Sequence, residues 1–149
     1  MSIWTHVASI IRIDSFRLLL DYSLSKSTKE LFLDIFGKEC HWESPEEIWI
    51  DAENHPENYL PMGSEGSLKM SIWENPSRSS MAAYTVSIFG DLRDYDDLNA
   101  IKTWFKTACD KVLVRQAVIT ATNEYDDYLI YDYILDTREK FKIDISEVK

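Results

Sequence analysis

The chain has few of the residues that build crosslinks or tight ligand-binding loops. Its 149 residues include two cysteines and four glycines. Two cysteines are too few for a disulfide framework, and neither a P-loop nor a G-x-S-x-G nucleophile elbow occurs. The start of the chain lacks the basic and apolar regions of a signal peptide, and no apolar run approaches the ~20 residues that span a bilayer. We therefore expect a cytoplasmic protein without a membrane segment.

Positive charge is also scarce. Sixteen lysines and arginines stand against 26 aspartates and glutamates, which gives a formal net charge of −10. DNA, RNA and anionic membranes repel such a protein at long range, so we expect no direct contact with either nucleic acid or membrane. The charge leaves three options: a basic protein partner, a small ligand in a locally positive pocket, or no charged partner, in which case the acids only maintain solubility.

The segment 81–122 predicts a strand, a helix and a second strand. Residues 81–89 alternate with the two-residue period of a strand, which Gly90 is expected to end. Over residues 98–112, apolar side chains recur at three- and four-residue steps and mark one face of a helix. β-Branched residues return over 113–122 and indicate the second strand.

The first part of the chain predicts one strand and one helix. Residues 3–13 carry apolar side chains on both sides, which is typical of a central strand. A short helical turn is expected over residues 16–22. Ser27 and Glu30 then match a capping box that opens a helix, and Gly37 is a natural stop for it.

The segment 40–66 reads as an insertion, because it holds three of the four prolines and lacks a regular pattern. Within it, only residues 47–52 predict an element, a short strand at a sheet edge. Loops of this length in a compact domain are commonly functional. The alternation over residues 68–73 predicts another strand, so that residues 67–90 form a hairpin.

The fold class that follows is α+β. Residues 125–136 and 141–145 predict an additional C-terminal strand pair beyond the central unit. The order of elements corresponds to a ferredoxin-like, or split βαβ, two-layer sandwich in which the first strand lies between the third and fourth. We predict a single domain over residues 1–149, with an insertion at about 40–66.

Two stretches are candidates for ligand binding. Successive backbone N–H groups in residues 61–67 can form an anion-binding nest, although a structural turn is the simpler interpretation. Residues 90–97 crowd four carboxylates and an arginine at a strand-to-helix junction, where helix capping or acid–base and Mg²⁺ chemistry are alternatives. The predicted ligand-binding residues are Gly63, Ser64, Glu65, Gly66 and Ser67, with Arg93 or Arg12 as the anion partner.

Metal and nucleophile chemistry have weaker support. Asp51, Glu53 and His55 stand two residues apart and would share one face of a strand, but no second ligand cluster accompanies them. Cys40 lies next to His41 without a recognisable third partner, and the predicted helix makes Cys109 a small core residue. We therefore predict no metal, no cofactor and no catalytic residue.

An uncovered sheet face is the stronger clue to function, because exposed aromatic side chains mark interaction surfaces. The predicted surface residues are Trp73, Phe89, Tyr128, Tyr131 and Tyr133. We expect a non-catalytic binding or regulatory protein that acts through protein–protein contact, as a homodimer. A particular form resembles small viral accessory proteins: an acidic inhibitor of a nucleic-acid-binding protein, with carboxylates of the C-terminal tail in place of phosphates. Alternatives are a protein that senses or sequesters a small anionic or nucleotide-like ligand, and a small hydrolase-type enzyme.

Overall fold

The computed structural model describes residues 2–14, 28–76 and 82–137, and within them it is an α+β protein. One antiparallel sheet has the order β2-β3-β1-β4-β5. The strands are β1 Trp4–Asp14, β2 Gly66–Glu74, β3 Ala82–Arg93, β4 Val114–Asn123 and β5 Tyr128–Asp132. The helices are α1 Thr28–Phe36, α2 Glu46–Asn54 and α3 Leu98–Cys109, with a 3-10 turn at Pro56–Asn58. This is consistent with a two-layer α+β sandwich.

The first strand is central, as its sequence predicts. β1 pairs antiparallel with β3 on one side and with β4 on the other, so that Ile11 lies opposite both Val86 and Ala117. Its residues alternate between buried and exposed along the strand. The apolar residues on both sides therefore serve two different surfaces of the sheet.

The inner face of the sheet packs against α1 and α3 and forms what we call the main core. Its fully buried side chains include Ile11, Val86, Ile88 and Ile119 from the strands, and Phe32, Ile101 and Phe105 from the helices. The indole Nε1 of Trp104 donates a hydrogen bond of 2.7 Å to the carbonyl oxygen of Phe36, which links α3 to the end of α1. The predicted apolar stripe of α3 is thus the one that is buried.

Local signals set the start of α3 and the end of α1. The carboxylate of Asp97 accepts a hydrogen bond of 3.0 Å from the backbone N–H of Ala100 and caps α3. Gly37 follows α1 with a φ of 127°, a conformation that favours glycine. A side chain there would also collide with the backbone of Tyr59 and Leu60, so this predicted stop is confirmed.

The predicted end of the third strand is wrong. β3 continues through Gly90 to Arg93, and Gly90 lies opposite Val7 on β1 and Leu68 on β2. A Cβ atom at position 90 would collide with the carbonyl oxygen of Ser67. Glycine is therefore needed there for close strand packing and not for a turn.

The predicted edge strand at residues 47–52 is also wrong, because these residues lie in α2. Pro45 precedes the helix, and its carbonyl oxygen accepts a hydrogen bond of 3.0 Å from the N–H of Ile48. Ile48 and Ala52 are one helical turn apart and turn inward together. They belong to what we call the small core, whose buried members are Cys40, Ala52 and Tyr59, with Ile48, Trp49 and Met62 packed against them.

The C-terminal prediction is only partly observed. β5 pairs antiparallel with β4, but it ends at Asp132, and residues 133–137 are helical where a strand was predicted. The expected strand at 141–145, the helical turn at 16–22 and Ser27 of the capping box lie outside the described residues. Over residues 2–14, 28–76 and 82–137, no helix has both the length and the apolar character needed to cross a bilayer.

Candidate functional site

The outer face of the sheet, opposite α1 and α3, is the candidate site. In the register of the sheet, Phe89 lies opposite Ala8, and Ile10 lies opposite Val118. Ile130 on β5 continues this apolar surface beside Thr120. The exposed fraction is 51% for Ile10, 45% for Phe89 and 70% for Ile130, values that are high for large apolar side chains.

Two further aromatic residues extend this surface to the edge strands. Trp73 on β2 is 56% exposed, and Tyr128 on β5 is 72% exposed. We call the set Ile10, Trp73, Phe89, Tyr128 and Ile130 the outer patch. The sequence predicts Trp73, Phe89 and Tyr128 for this surface, but it misses the two isoleucines. The two-residue alternation of β1 and β5 is the signal that assigns Ile10 and Ile130 to the same side as the aromatic residues.

The charges around the outer patch balance. Lys69, Arg12 and Arg93 lie on the outer face of the described strands together with the carboxylates of Asp91 and Asp132, and Arg93 is paired with Glu65. The Nδ1 atom of His6 lies 2.6 Å from a carboxylate oxygen of Asp91. In a chain with a net charge of −10, this face is therefore locally close to neutral.

Two residues predicted for the interaction surface lie elsewhere. Tyr131 is buried in the main core, where its ring meets Phe105 edge-on at 6.2 Å. Its hydroxyl donates a hydrogen bond of 2.8 Å to Asp136. Tyr133 is half-buried, and its hydroxyl donates a hydrogen bond of 2.6 Å to Asp110. Because neighbouring strand residues point to opposite faces, Tyr131 cannot share a side with Ile130.

The structure brings the two predicted ligand-binding stretches together, next to the start of β1. The N–H of Ser64 donates to the carbonyl oxygen of Arg93 at 2.9 Å, and the N–H of Arg93 donates to that of Glu65 at 2.9 Å. Side chains at Gly63 or Gly66 would collide with the backbone of Arg93 and Asp91, respectively. These glycines therefore allow two backbone segments to pair closely.

The arginine of this junction already has partners. A guanidinium nitrogen of Arg93 lies 2.9 Å from a carboxylate oxygen of Glu65, and another bonds the hydroxyl of Ser2. Its buried Nε lies 3.9 Å from Asp94 and has no hydrogen-bond acceptor among the described residues. The hydroxyl of Ser64 donates to Asp94 at 2.8 Å, and this bond lowers the pKa of that carboxyl. The junction is thus an internally neutralised network.

Arg12 does not join this network. Trp4, at the start of β1, lies opposite Arg93, whereas Arg12 lies opposite Thr85 near the other end of the strand. Eight residues of extended chain separate Trp4 from Arg12, which is about 26 Å at the rise of a β-strand. The proposed anion partners therefore cannot act on one small ligand.

The residues predicted for a metal site or a nucleophile are not arranged as those alternatives require. Asp51 and Glu53 lie on α2, about 200° apart around the helix, instead of on one face of a strand. Over the described residues, no group of three metal-binding side chains comes together. Burial raises the pKa of Cys40, and it raises that of Cys109 to about 12, so both remain thiols at neutral pH.

A cleft that the sequence does not predict lies between α1 and α3. It has a volume of about 470 Å³ and is lined by residues of both helices and of the 3-10 turn. The residues that line it include Trp104, Lys38 and Lys111, and also Asp34 and Glu57. Charges of both signs therefore face this cleft, and no single ligand class is favoured by them.

Comparison with known proteins finds no matching protein family, no matching curated protein and no matching solved structure.

Proposed function

We propose that this chain is a non-catalytic binding protein that acts through protein–protein contact at the outer face of its sheet. The observation that carries this proposal is the outer patch, in which five large apolar side chains are each 45% exposed or more. Large apolar side chains that are exposed together on one face of a sheet are costly in water, and proteins retain them where a partner covers them. Trp and Tyr, both present here, are enriched at the centres of interfaces.

The partner in this proposal is a second copy of the chain. Two molecules that each carry a net charge of −10 repel one another at long range. They approach most easily through surfaces that are locally neutral, and on the outer face Lys69, Arg12 and Arg93 are balanced by Asp91, Asp132 and Glu65. A two-fold dimer also buries the same patch on both copies at once, and it is the commonest oligomer.

A ferredoxin-like sheet is part of this proposal. Its support is that β1 lies between β3 and β4, with β2 beside β3 and the helices α1 and α3 on one face. β5 is then an added edge strand beside β4. In such a sheet the uncovered face is the natural association surface, because the helices occupy the other side.

Ligand sensing ranks second in this proposal. A basic side chain available to an anionic ligand in the junction of residues 61–67 and 90–97 would favour ligand sensing. Arg93 is the arginine of this junction, but it is paired with Glu65 and lies near Asp94. The backbone N–H groups of Ser64 and Arg93 are also already bonded. An anion would have to displace these partners, so the outer patch supports protein contact more directly.

The test replaces two members of the outer patch with charged residues. We expect the parent chain to be a dimer by light scattering. Trp73→Glu combined with Phe89→Glu should be a monomer by the same measurement and should remain folded by circular dichroism. The matched control is Asn99→Glu combined with Thr107→Glu, which adds the same charge at exposed positions of α3 and should remain a dimer.

Two results would overturn the proposal. A parent chain that is monomeric at all concentrations would remove self-association. A double variant that unfolds, while the control remains folded, would mean that the outer face is part of the protein core and not an association surface.

A further inference from the structure

The net charge of the protein is concentrated in one stretch. Residues 39–68 contain eight carboxylates and neither lysine nor arginine. This stretch therefore carries eight of the ten net negative charges, and the remaining 119 residues are nearly balanced. The outer face of the sheet and the segment around α2 are thus two surfaces of different electrostatic character.

The outward side of α2 combines this charge with an exposed apolar residue. Ile50 is 52% exposed, although its neighbour Ala52 is fully buried in the small core. Glu46, Glu47 and Glu53 lie one helical turn from Ile50 on the same side and are exposed. An isoleucine is thereby surrounded by three carboxylates.

Trp42 adds an aromatic side chain to the same segment. It is 84% exposed, the highest value among the large hydrophobic side chains that the structure describes. The turn that carries it is ordered by two hydrogen bonds, from the N–H of Ser44 to His41 at 2.8 Å and from the N–H of His41 to the Ser44 hydroxyl at 3.1 Å. A tryptophan held in water at a defined position is a typical interface anchor.

Over the part of the chain that the structure describes, the glutamates of this surface are not neutralised. Glu43, Glu46, Glu47 and Glu53 form no ion pair with any described residue. A hydrogen bond of 2.6 Å, which the hydroxyl of Tyr59 in the small core donates to Asp51, holds α2 in place. The segment is also tied to the sheet edge, because the carboxylate of Glu39 accepts a hydrogen bond of 2.7 Å from the N–H of Met70 on β2.

We propose that Trp42 and the outward side of α2 form a docking surface for a basic protein, one that presents lysines or arginines around an apolar pocket. This inference rests on the proposed protein-binding function and assigns it a second surface and a partner class. Nucleic acids and anionic membranes carry the same sign of charge as this surface and are repelled by it. A second copy of the chain would meet the same carboxylates, so the partner is a different protein.

A basic partner agrees with the predicted inhibitor of a nucleic-acid-binding protein, but the binding site differs from the predicted one. The surface of a nucleic-acid-binding protein is rich in lysine and arginine, and carboxylates can stand where phosphates would bind. The carboxylates in question are those of α2 and of the turn before it, instead of those of the C-terminal tail. The apolar residues supply contact area that charge alone does not.

The experiment uses two synthetic helical peptides as probes. One has a leucine face flanked by lysines and arginines, and the other has the same charges with serine in place of leucine. The indole N–H signals of the five tryptophans are followed by NMR in the full chain. We expect the leucine peptide to move the Trp42 signal and not that of Trp73, with an affinity that falls as salt is added.

Matched variants separate the apolar contribution to peptide binding from the electrostatic one. Ile50→Ser and Trp42→Ser should each weaken binding of the leucine peptide about tenfold, which corresponds to about 1.4 kcal/mol. Glu46→Gln with Glu47→Gln should weaken it and flatten its salt dependence. The control, Glu124→Gln with Asp126→Asn, removes two exposed carboxylates outside the segment and should change neither the affinity nor its salt dependence.

Three results would overturn the inference: no binding of the leucine peptide, equal binding of both peptides, or an unchanged affinity in Ile50→Ser and Trp42→Ser. The chain with Trp73→Glu and Phe89→Glu should still bind the leucine peptide as the parent does. If the parent is monomeric but the Trp42 signal moves, the self-association proposal fails and the docking inference stands. If the parent is a dimer but the Trp42 signal does not move, only the docking inference is rejected.

Discussion

The main core and the small core are built in different ways. The main core has twenty-two buried apolar residues among those that the structure describes, drawn from the sheet, from α1 and α3, and from Leu60 after the 3-10 turn. The small core has three, and a hydrogen bond between Tyr59 and Asp51 supports it. The sheet is therefore held by apolar burial, whereas the segment that presents α2 depends on a few specific contacts. We expect the two regions to respond differently to mutation, pH and denaturant.

The largest effect should come from Phe105→Ala in the main core. Phe105 is fully buried under the sheet, and truncation of a buried aromatic residue costs about 3–5 kcal/mol of unfolding free energy. Lys106→Ala is the control: its ion pair with Asp110, at 3.1 Å, lies on the surface and is worth less than about 0.5 kcal/mol. Urea unfolding measures both. Equal losses at the two positions would contradict the observed orientation of α3.

The next effect compares the two sides of β1 with the same substitution. Ile11 is fully buried and Ile10 is 51% exposed. Ile11→Ala should lower the unfolding free energy by about 2–5 kcal/mol, while Ile10→Ala should change it by about 0.5 kcal/mol or less. Urea unfolding at low protein concentration keeps any self-association out of the comparison. A large loss at Ile10 would mean that the outer face is packed like the inner one.

A smaller effect should come from Tyr59→Phe in the small core. Loss of a hydrogen bond to a charged group costs about 1.5–3 kcal/mol. Hydrogen-deuterium exchange around α2 should rise in this variant, and exchange in β1 should change little. Tyr84→Phe, at another buried tyrosine but in the main core, is the control. Protection lost equally in both regions would show that the two cores unfold as one unit.

The same tyrosine predicts a pH dependence. The bond to Asp51 raises the pKa of Tyr59 from 10.0 to about 12. A raised pKa means that the protonated hydroxyl is favoured in the folded state, so its contribution is fully present below about pH 10. This contribution should be lost as the pH rises from about 10 to about 12. Protection of α2 measured over this range should fall in the parent and be flat in Tyr59→Phe; parallel curves would reject the assignment.

The smallest effect concerns the two cysteines, one in each core. Both are buried, and burial raises the pKa of both thiols. Neither should react with a thiol reagent at neutral pH in the native protein. At denaturant concentrations below the unfolding transition, Cys40 should be modified at least about tenfold faster than Cys109, because the small core opens locally. Mass spectrometry of the labelled peptides distinguishes them. Equal rates would mean a single cooperative unit.

The helix α3 and the strands β1 to β4 could be predicted from the sequence because their periodic patterns are long. Twelve residues of α3 keep one apolar stripe, and the cap at Asp97 marks its start. The short stretch at residues 47–52 could not be assigned in this way. Its alternation fits a strand, and the helical form buries Ala52 against Cys40 and Tyr59, which lie outside this stretch on either side of it.

The candidate surfaces were predictable only in part. An uncovered sheet face with Trp73 and Phe89 follows from alternation and from the number of helices. The error at Tyr131 arose because aromatic content alone does not say which side of β5 a residue occupies. Only the pairing of β5 with β4 places Tyr131 over Phe105 and leaves Tyr128 exposed.

By itself, the sequence determined the long local elements, α3 and β1 to β4, and the sign of the charge. Alternation, helical stripes and capping residues depend only on residues that are close in sequence, so they can be recognised without knowledge of the fold. Only the tertiary structure decided which face is covered: Ile10 and Ile11 are the same residue type, yet one is exposed and the other is buried. Burial depends on segments far along the chain, here α1 and α3 against one side of the sheet. For that reason the full extent of the outer patch and the outward side of α2 became visible only in the folded protein.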